Sequence, residues 1–328
     1  MERLTISTIR IFIILFFSTF ILLFFSLYTL AKQYEISKLL FDNSQFKTVE
    51  EIELHYRLWY PEEHLPAGNL LLLHGLGGST FSWRSVAPDL AENGYLVLAV
   101  DLPGFGLSQR KPSINQSHNN KANLLWSLIE NLDISGPWQI VGHSMGGGVG
   151  VAMVLQKPLN AESLTLVAGS ISRNSNPIGK LISQSRVLRN LAGKFIERFF
   201  LTRKRIKSFL TSAYGREPTA EELEGYYRPL KLKNTYLTLT SLLRRYPSDK
   251  DLADKVDEIT VPVLCLWGRE DEWVPVSKGE ELAEKIPNAT LKIIDEARHC
   301  PMETHPEMFN EHLFEFLEEK QRILLAIK

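Results

Sequence analysis

Residues 138–148, WQIVGHSMGGG, decide the fold that the sequence predicts. WQIV is typical of a buried strand, and the glycine-rich continuation GGGVGVAMVLQ can open a helix packed closely against a sheet. Ser144 stands between them, at the centre of Gly-x-Ser-x-Gly. A strand, a sharp turn and a helix would present the serine hydroxyl at the edge of a sheet, as a nucleophile elbow does. The alternative is an ordinary serine in a flexible loop, since the pattern alone fixes only three positions.

Other apolar runs predict the rest of this sheet. The alternating ELHYRLWY of residues 53–60 indicates a strand. Nearly continuous apolar runs, typical of strands covered on both faces, occur at 70–74, 95–101, 138–142, 163–169, 261–268 and 289–295. Helical spacing occurs at 121–132, 276–286 and 307–317. Strands that alternate with helices predict an α/β fold whose sheet is mostly parallel, with helices on both faces.

One long stretch has no strand of this kind. Residues 170–257 are largely helical in composition, and we interpret them as a helical cap inserted between two strands, above their carboxyl ends. The core is then residues 49–169 and 258–328, and residues 32–48 are a polar connector.

The N-terminus predicts a membrane anchor. Residues 11–30 contain no charge, and about 20 apolar residues suffice to span a bilayer. We therefore assign residues 1–31 to an anchor with a transmembrane helix at about 11–30. A cleaved signal peptide is the alternative, although its apolar region is usually only ~7–15 residues long. Lysines and arginines flank the run on both sides, so the side of the membrane on which the core lies stays open.

Composition excludes several classes of function. The 328 residues include 37 Lys and Arg against 38 Asp and Glu, and this balance argues against a nucleic-acid partner. Hydrophobic residues make up 44% of the chain, which is enough for one large core.

The two cysteines, Cys265 and Cys300, are too few for a disulfide scaffold and lack the spacing of a metal site. Cys265 is expected to pack as a core residue, and a single disulfide between the two is the alternative.

A serine hydroxyl needs a base, and the base needs an orienting carboxylate. Asp271 follows the strand VPVLCLW, and His299 follows the strand LKIID. Both lie at carboxyl ends of predicted parallel strands, where open sheets build their sites. The predicted triad is therefore Ser144, Asp271 and His299, with Glu270 and Glu272 as alternatives to Asp271.

The remaining candidates receive structural interpretations. We expect His74 to be a neutral imidazole that fixes a loop, His143 to pack beside its strand, and His305, which precedes a proline, to begin the last helix. We expect Asp295 and Glu303 to bind loop backbone.

An anionic tetrahedral intermediate requires N–H donors. The segment LLLLHGLGGS at 70–79 is a strand followed by a glycine-rich turn, which can direct backbone N–H groups inward. The expected oxyanion hole consists of the N–H groups of Leu76 and Met145. The alternative is that HGLGG is a simple loop.

Five segments in this order resemble the α/β-hydrolase superfamily: LLLLHGLGGSTFSW, DLPGFGLS, GHSMGGG, LWGREDEWVP and RHCPMETHPE. The resemblance covers roughly residues 50–320. It implies Ser144 as nucleophile, His299 as general base, Asp271 as its orienting acid, Leu76 and Met145 as the oxyanion hole, a cap from Ser170 onward, and no cofactor. It also implies a structural turn at 101–106.

The same resemblance leaves the substrate open. Dehalogenases and epoxide hydrolases of this fold have aspartate at the elbow, so Ser144 argues against them. Carbon–carbon bond hydrolases and thioesterases share the triad and stay open, as does a binding protein of this fold without catalysis. We expect a serine carboxylester hydrolase.

The cap and the anchor bear on the substrate. Between residues 173 and 207 the sequence has ten lysines and arginines against the single acid Glu197, interleaved with large apolar residues. A basic amphipathic helix can lie on an anionic membrane. The alternative interpretation is a cap helix whose apolar face covers the core and whose charges are only solvated. Together with the anchor, this pattern favours lipid esters such as monoacylglycerols.

Overall fold

The computed structural model describes residues 35–62, 66–171, 185–242 and 252–327, with the side chains of Arg186 and of residues 320–327 left out. The predicted transmembrane helix at 11–30 lies outside these ranges. Within them, no helix has the length and apolar character needed to cross a bilayer.

An eight-stranded sheet forms the centre of the described chain. Its strands are β1 (Ser44–Val49), β2 (Ile52–Trp59), β3 (Gly68–Leu73), β4 (Tyr95–Val100), β5 (Trp138–His143), β6 (Ala161–Val167), β7 (Val263–Gly268) and β8 (Ala289–Ile294). Their order in space is β1-β2-β4-β3-β5-β6-β7-β8. The pairs β1–β2 and β2–β4 are antiparallel, and the other neighbours are parallel. The predicted, mostly parallel sheet is confirmed.

Strand β1 was not predicted, because it falls largely inside the proposed connector at 32–48. A tight turn at Glu50 and Glu51, both with positive φ, folds β1 back onto β2. β1 lies at the edge of the sheet and only Val49 in it is buried. Its polar composition reflects this exposed position, so an apolar-run criterion cannot find it.

Helices cover both faces of the sheet. They are α1 (Ala87–Glu92), α2 (His118–Glu130), α3 (Met145–Gln156), α4 (Arg186–Phe199), α5 (Arg203–Tyr214), α6 (Ala220–Leu230), α7 (Thr235–Ser241), α8 (Val276–Lys285), α9 (Pro301–Thr304) and α10 (Pro306–Ile327). In β3, Leu71 and Leu73 pack into the core with α2 and α3, while Leu70 and Leu72 pack into the core with α1 and α10. Because both faces are covered, the four consecutive residues Leu70 to Leu73 are all apolar.

Helices α4 to α7 lie between β6 and β7, inside the stretch predicted as a helical cap. We call this group the helical insertion. Helix α6 begins at a capping box, in which Thr219 and Glu222 bond each other's backbone N–H groups. Apolar side chains of the insertion, Leu201, Ile206, Leu210 and Leu230, join the core that contains α1 and α10. The insertion is therefore packed onto the sheet domain at the end where the site residues lie.

Candidate active site

Ser144 occupies a sharp turn between β5 and α3. Its φ of 51° and ψ of −116° lie outside the regions that serine ordinarily adopts. Glycines permit the turn, because a Cβ on Gly142 would collide with the carbonyl of Gly146, and a Cβ on Gly146 with that of Leu73. The Ser144 side chain makes no capping hydrogen bond to α3. The local structure is thus the predicted strand, turn and helix, and not a flexible loop.

Asp271 and His299 are hydrogen-bonded in the loops after β7 and β8. His299 Nδ1 lies 2.8 Å from Asp271 Oδ2, and both side chains are buried. Asp271 Oδ1 accepts from the backbone N–H groups of Trp273 and Val274, at 2.8 and 3.0 Å. Because the carboxylate accepts the Nδ1 proton, the neutral imidazole has its lone pair on Nε2. This is the tautomer that a general base needs.

The neighbouring acids are placed differently. Glu270 and Glu272 are exposed and each lies 3.7 Å from the guanidinium of Arg298. Of the three adjacent carboxylates, only Asp271 contacts His299.

Further contacts fix the His299 backbone and ring. The His299 N–H donates to the carbonyl of Ala213 in α5, and His143 Nε2 donates to the carbonyl of His299, both at 2.9 Å. The indole of Trp273 lies against the imidazole with ring centroids 5.0 Å apart. Burial lowers the pKa of His143 well below its ordinary value, so this histidine is neutral. His143 thus lies beside its strand, as expected, and also holds the loop of His299.

Ser144 and His299 line one cavity of about 320 Å³ between the sheet domain and the insertion. Within the described chain no hydrogen bond joins the Ser144 hydroxyl to His299; such bonds often tighten only when substrate binds. The other lining residues are Gly75, Leu76, Gly77, Gly78, Ser82, His143, Leu201, Ile206, Phe209, Leu210, Ala213, Tyr226, Leu230, Leu239, Trp273 and Cys300. None of the described residues that line it is Lys, Arg, Asp or Glu. The cavity is therefore suited to an uncharged, largely apolar ligand.

The glycine turn after β3 lies directly against Ser144. A Cβ on Gly75 would be 3.1 Å from Ser144 Cβ and 2.8 Å from His143 Nδ1, so only glycine fits there. Leu76 follows in this turn and lines the cavity. Met145 is the first residue of α3, where a backbone N–H has no acceptor within its own helix. The oxyanion hole formed by the N–H groups of Leu76 and Met145 stays a prediction.

His74 fixes this turn from behind. Its Nδ1 donates to the carbonyl of Gly75 at 2.7 Å, and its Nε2 accepts the N–H of Leu102 at 2.9 Å. Burial lowers the pKa of His74. The expected neutral, structural imidazole is confirmed.

The turn DLPGFGLS is also structural, as the resemblance implies. The Asp101 carboxylate is buried and accepts from His55 Nδ1 at 2.7 Å and from the N–H groups of Thr80 and Leu107 at 2.6 Å. Gly106, with a φ of 50°, brings its backbone so close to this carboxylate that any Cβ would collide with it.

Two expectations for acids are wrong. Asp295 and Glu303 bind side chains and not loop backbone: Asp295 pairs with Arg269 at the surface. Glu303, in α9, is buried and accepts from Arg84 and from the hydroxyls of Tyr214 and Tyr226. Tyr226 also bonds Ser82. The partners of Glu303 come from distant parts of the chain, so no local pattern could reveal the cluster.

The Glu303 cluster joins the sheet domain to α5 and α6 of the insertion. Burial first, and then the adjacent carboxylate, raise the pKa values of Tyr214 and Tyr226, so both phenols stay protonated and donate.

Glu303→Ala would leave Arg84 largely buried without this partner, and we expect a loss of about 3 kcal/mol in the free energy of unfolding. Urea denaturation measures it. Glu315→Ala, which breaks an exposed pair with Lys292, is the matched control and should cost less than about 1 kcal/mol. Equal effects of the two substitutions would contradict this account.

Cys265 and Cys300 are both free thiols and buried, so the alternative of a disulfide is wrong. Cys265 packs in the core as expected, whereas Cys300 lines the cavity beside His299. His305 immediately precedes α10, which therefore begins one residue later than expected, at Pro306.

The sequence is similar to those of several known hydrolases. It is 28% identical over 275 residues to the uncharacterized hydrolase YugF of Bacillus subtilis, covering 82% of this chain and 96% of the relative. It is 29% identical over 283 residues to a 2-hydroxy-6-oxononadienedioate/2-hydroxy-6-oxononatrienedioate hydrolase of Cupriavidus pinatubonensis, covering 84% and 95%. Among solved structures, a bacterial membrane phospholipase A superimposes with a TM-score of 0.68 at 23% identity, covering 85% of this chain and 86% of that one. This last likeness concerns the fold alone.

A family model described as the alpha/beta hydrolase fold matches residues 68–306. This match spans the sheet from β3 onward, the elbow, the insertion and both loops that hold Asp271 and His299. The chain therefore belongs to the α/β-hydrolase family and is a hydrolytic enzyme.

Proposed function

We propose that the protein hydrolyses carboxylic esters through an acyl-enzyme on Ser144. The observation that supports this most strongly is the His299–Asp271 hydrogen bond at the cavity into which the Ser144 turn opens. In the proposed first step, His299 Nε2 takes the proton of Ser144 as its oxygen attacks the ester carbonyl. Asp271 stabilises the resulting imidazolium, and the N–H groups of Leu76 and Met145 bind the oxyanion.

The second half of the cycle uses the same groups. The imidazolium returns its proton to the departing alcohol, which leaves the acyl group on Ser144. A water molecule, deprotonated by His299, then attacks the acyl carbon. His299 returns this proton to the Ser144 oxygen as the acyl–oxygen bond breaks, which releases the carboxylic acid and restores the enzyme. The chemistry requires no further group.

The cavity supports an acyl chain as the bound portion of the substrate. Apolar side chains from the insertion form much of its wall, among them Leu201, Ile206, Leu210 and Leu230. Each methylene buried in such a wall contributes about 0.8 kcal/mol. We therefore propose lipid esters as the substrate class, with monoacylglycerol-like molecules as the best match.

The curated relatives support a second candidate. Several are named hydrolases of 2-hydroxy-6-oxo dioates, which are dicarboxylates, at 25–29% identity. A buried dianion needs cationic partners, and none of the described lining residues supplies one. The lining therefore favours the ester.

The experiment that tests the proposed function compares p-nitrophenyl esters of two to sixteen carbons in detergent micelles with a 2-hydroxy-6-oxo dioate. We expect kcat/KM to increase by about 10³-fold from acetate to octanoate as the six added methylenes enter the cavity. We expect the dioate to be turned over at least about 10²-fold more slowly than octanoate. Faster turnover of the dioate would establish the second candidate instead.

A matched pair of variants locates the acyl chain. Ile206 lines the cavity from α5, whereas Ser208, two residues later, is exposed. Ile206→Trp should lower kcat/KM for octanoate by about 10-fold and leave acetate within about 2-fold. Ser208→Trp should change neither. A uniform loss for both esters in Ile206→Trp would show that the cavity does not bind the acyl chain.

We also propose that residues 11–30 hold the enzyme in a membrane, a proposal that rests on their uncharged length. The full chain should stay in the membrane fraction through alkaline carbonate washes and leave it only with detergent. Release by carbonate, or maturation to a form that lacks these residues, would contradict the anchor.

A further inference from the structure

Helix α4 exposes a row of large apolar side chains. Val187, Leu191, Phe195 and Phe199 recur every four residues, so they lie along one side of the helix. With Leu188 and Phe200 they form what we call the α4 surface. The exposed fractions of these six side chains lie between 41% and 67%. Large apolar side chains that are exposed side by side mark an interaction site.

The opposite side of α4 is already used in packing. Gly193 lies so close to the ring of Tyr236 in α7 that a Cβ would collide with it. The helix is therefore held against α7 by one side, and the α4 surface faces outward.

The helix that bears this surface and the helix after it are rich in positive charge. Helices α4 and α5 contain one acid, Glu197, and eight basic residues: Arg186, Arg189, Lys194, Arg198, Arg203, Lys204, Arg205 and Lys207. Arg203 and Lys207 pair with Glu224 and Glu217 of the insertion. Lys194, Lys204 and Arg205 are exposed and have no ion-pair partner among the described residues.

The apolar character continues to the mouth of the cavity. Phe200 is followed directly by Leu201, which lines the cavity. Phe209, Trp273 and Leu76 also line it and are themselves exposed by 45%, 46% and 59%. An acyl chain that leaves a surface beneath α4 would therefore meet apolar side chains as far as Ser144.

We propose that the α4 surface docks on an anionic phospholipid bilayer, with its apolar row among the acyl chains and the adjacent lysines and arginines at the phosphates. A basic amphipathic helix binds lipid in this way. Delivery of an ester from the bilayer to the cavity rests on the proposed function, whereas the docking itself does not.

Fluorescence of an introduced cysteine tests the docking in the full chain. Leu191→Cys is labelled with an environment-sensitive NBD dye, with wild type as the blank because Cys265 and Cys300 are buried. Leu159→Cys is the matched control, since Leu159 is apolar, 95% exposed and situated beyond α3, before β6. The chain is reconstituted in phosphatidylcholine vesicles with or without phosphatidylglycerol, and brominated lipids serve as quenchers.

With phosphatidylglycerol, we expect the label at 191 to shift to shorter wavelength and to be quenched by the brominated acyl chains. Pure phosphatidylcholine should give at least about 10-fold less of this response, and the label at 159 should stay unquenched. No quenching at 191, or equal quenching in the two lipids, would overturn the proposal. A lipid-independent shift that grows with protein concentration would assign the surface to a second copy of the chain and overturn it as well.

A kinetic arm separates docking from chemistry. Phe195→Glu should lower turnover of an ester embedded in phosphatidylglycerol vesicles by about 10-fold and leave a soluble short-chain ester within about 2-fold. Equal turnover of the vesicle ester by both proteins would contradict delivery through this surface. If no ester is turned over by the wild type, the proposed function fails, and the fluorescence result still decides the docking.

Discussion

Ser144→Ala is expected to lower kcat for ester hydrolysis by about 10⁵-fold, the scale on which other serine hydrolases lose activity without their nucleophile. Without the hydroxyl no acyl-enzyme forms, and only binding and oxyanion stabilisation remain. Steady-state kinetics with the octanoate ester measures the loss. The substitution removes no capping bond and changes no charge, so the thermal midpoint should move by less than about 3 °C.

Ser82→Ala is the matched control for this change. Ser82 also lines the cavity, but its hydroxyl bonds Tyr226. Its removal should lower kcat by less than about 10-fold, since a single neutral hydrogen bond contributes about 1 kcal/mol. Comparable losses in the two variants would show that Ser144 is not the nucleophile.

Asp271→Asn should lower kcat by about 10⁴-fold. The amide at this position would still accept one hydrogen bond, but it would no longer stabilise the imidazolium that forms when His299 takes the proton. The amide also favours the His299 tautomer that carries its proton on Nε2. That tautomer has no lone pair on Nε2 and cannot act as the general base. Steady-state kinetics with the octanoate ester measures this loss in kcat as well.

The two neighbouring acids provide controls at the same loop. Glu270→Gln and Glu272→Gln weaken only the long, exposed contacts with Arg298 and should leave kcat within about 2-fold. A larger loss in either of them than in Asp271→Asn would transfer the role of the orienting acid to that residue.

Much of the site could be predicted because its chemistry is local in sequence. The Ser144 turn needs glycines at fixed neighbouring positions, and Gly142 and Gly146 show why, since their Cα atoms face backbone carbonyls. Asp271 and His299 each follow an apolar strand of the parallel sheet, and the carboxyl ends of such strands meet at one edge. The choice of Asp271 over Glu270 and Glu272 depended on the loop conformation, which the structure provides.

Other features depend on contacts between distant residues. Strand β1 is polar because it lies at the sheet edge, so its pattern does not differ from that of a connector. Glu303 binds Arg84, Tyr214 and Tyr226, which lie between 77 and 219 positions away. The cavity wall likewise comes from helices of the insertion whose packing no periodicity predicts. Trp273, which lies against His299 and donates to Ser212 of α5, was missed for the same reason.

The most direct test of the central claim is the site of covalent labelling by a long-chain alkyl fluorophosphonate. We expect one adduct per chain, located by peptide mass spectrometry on Ser144, formed in step with the loss of ester turnover and absent from Ser144→Ala. An adduct on another residue, or full ester turnover by a chain that stays unlabelled at Ser144, would contradict an acyl-enzyme mechanism at this serine.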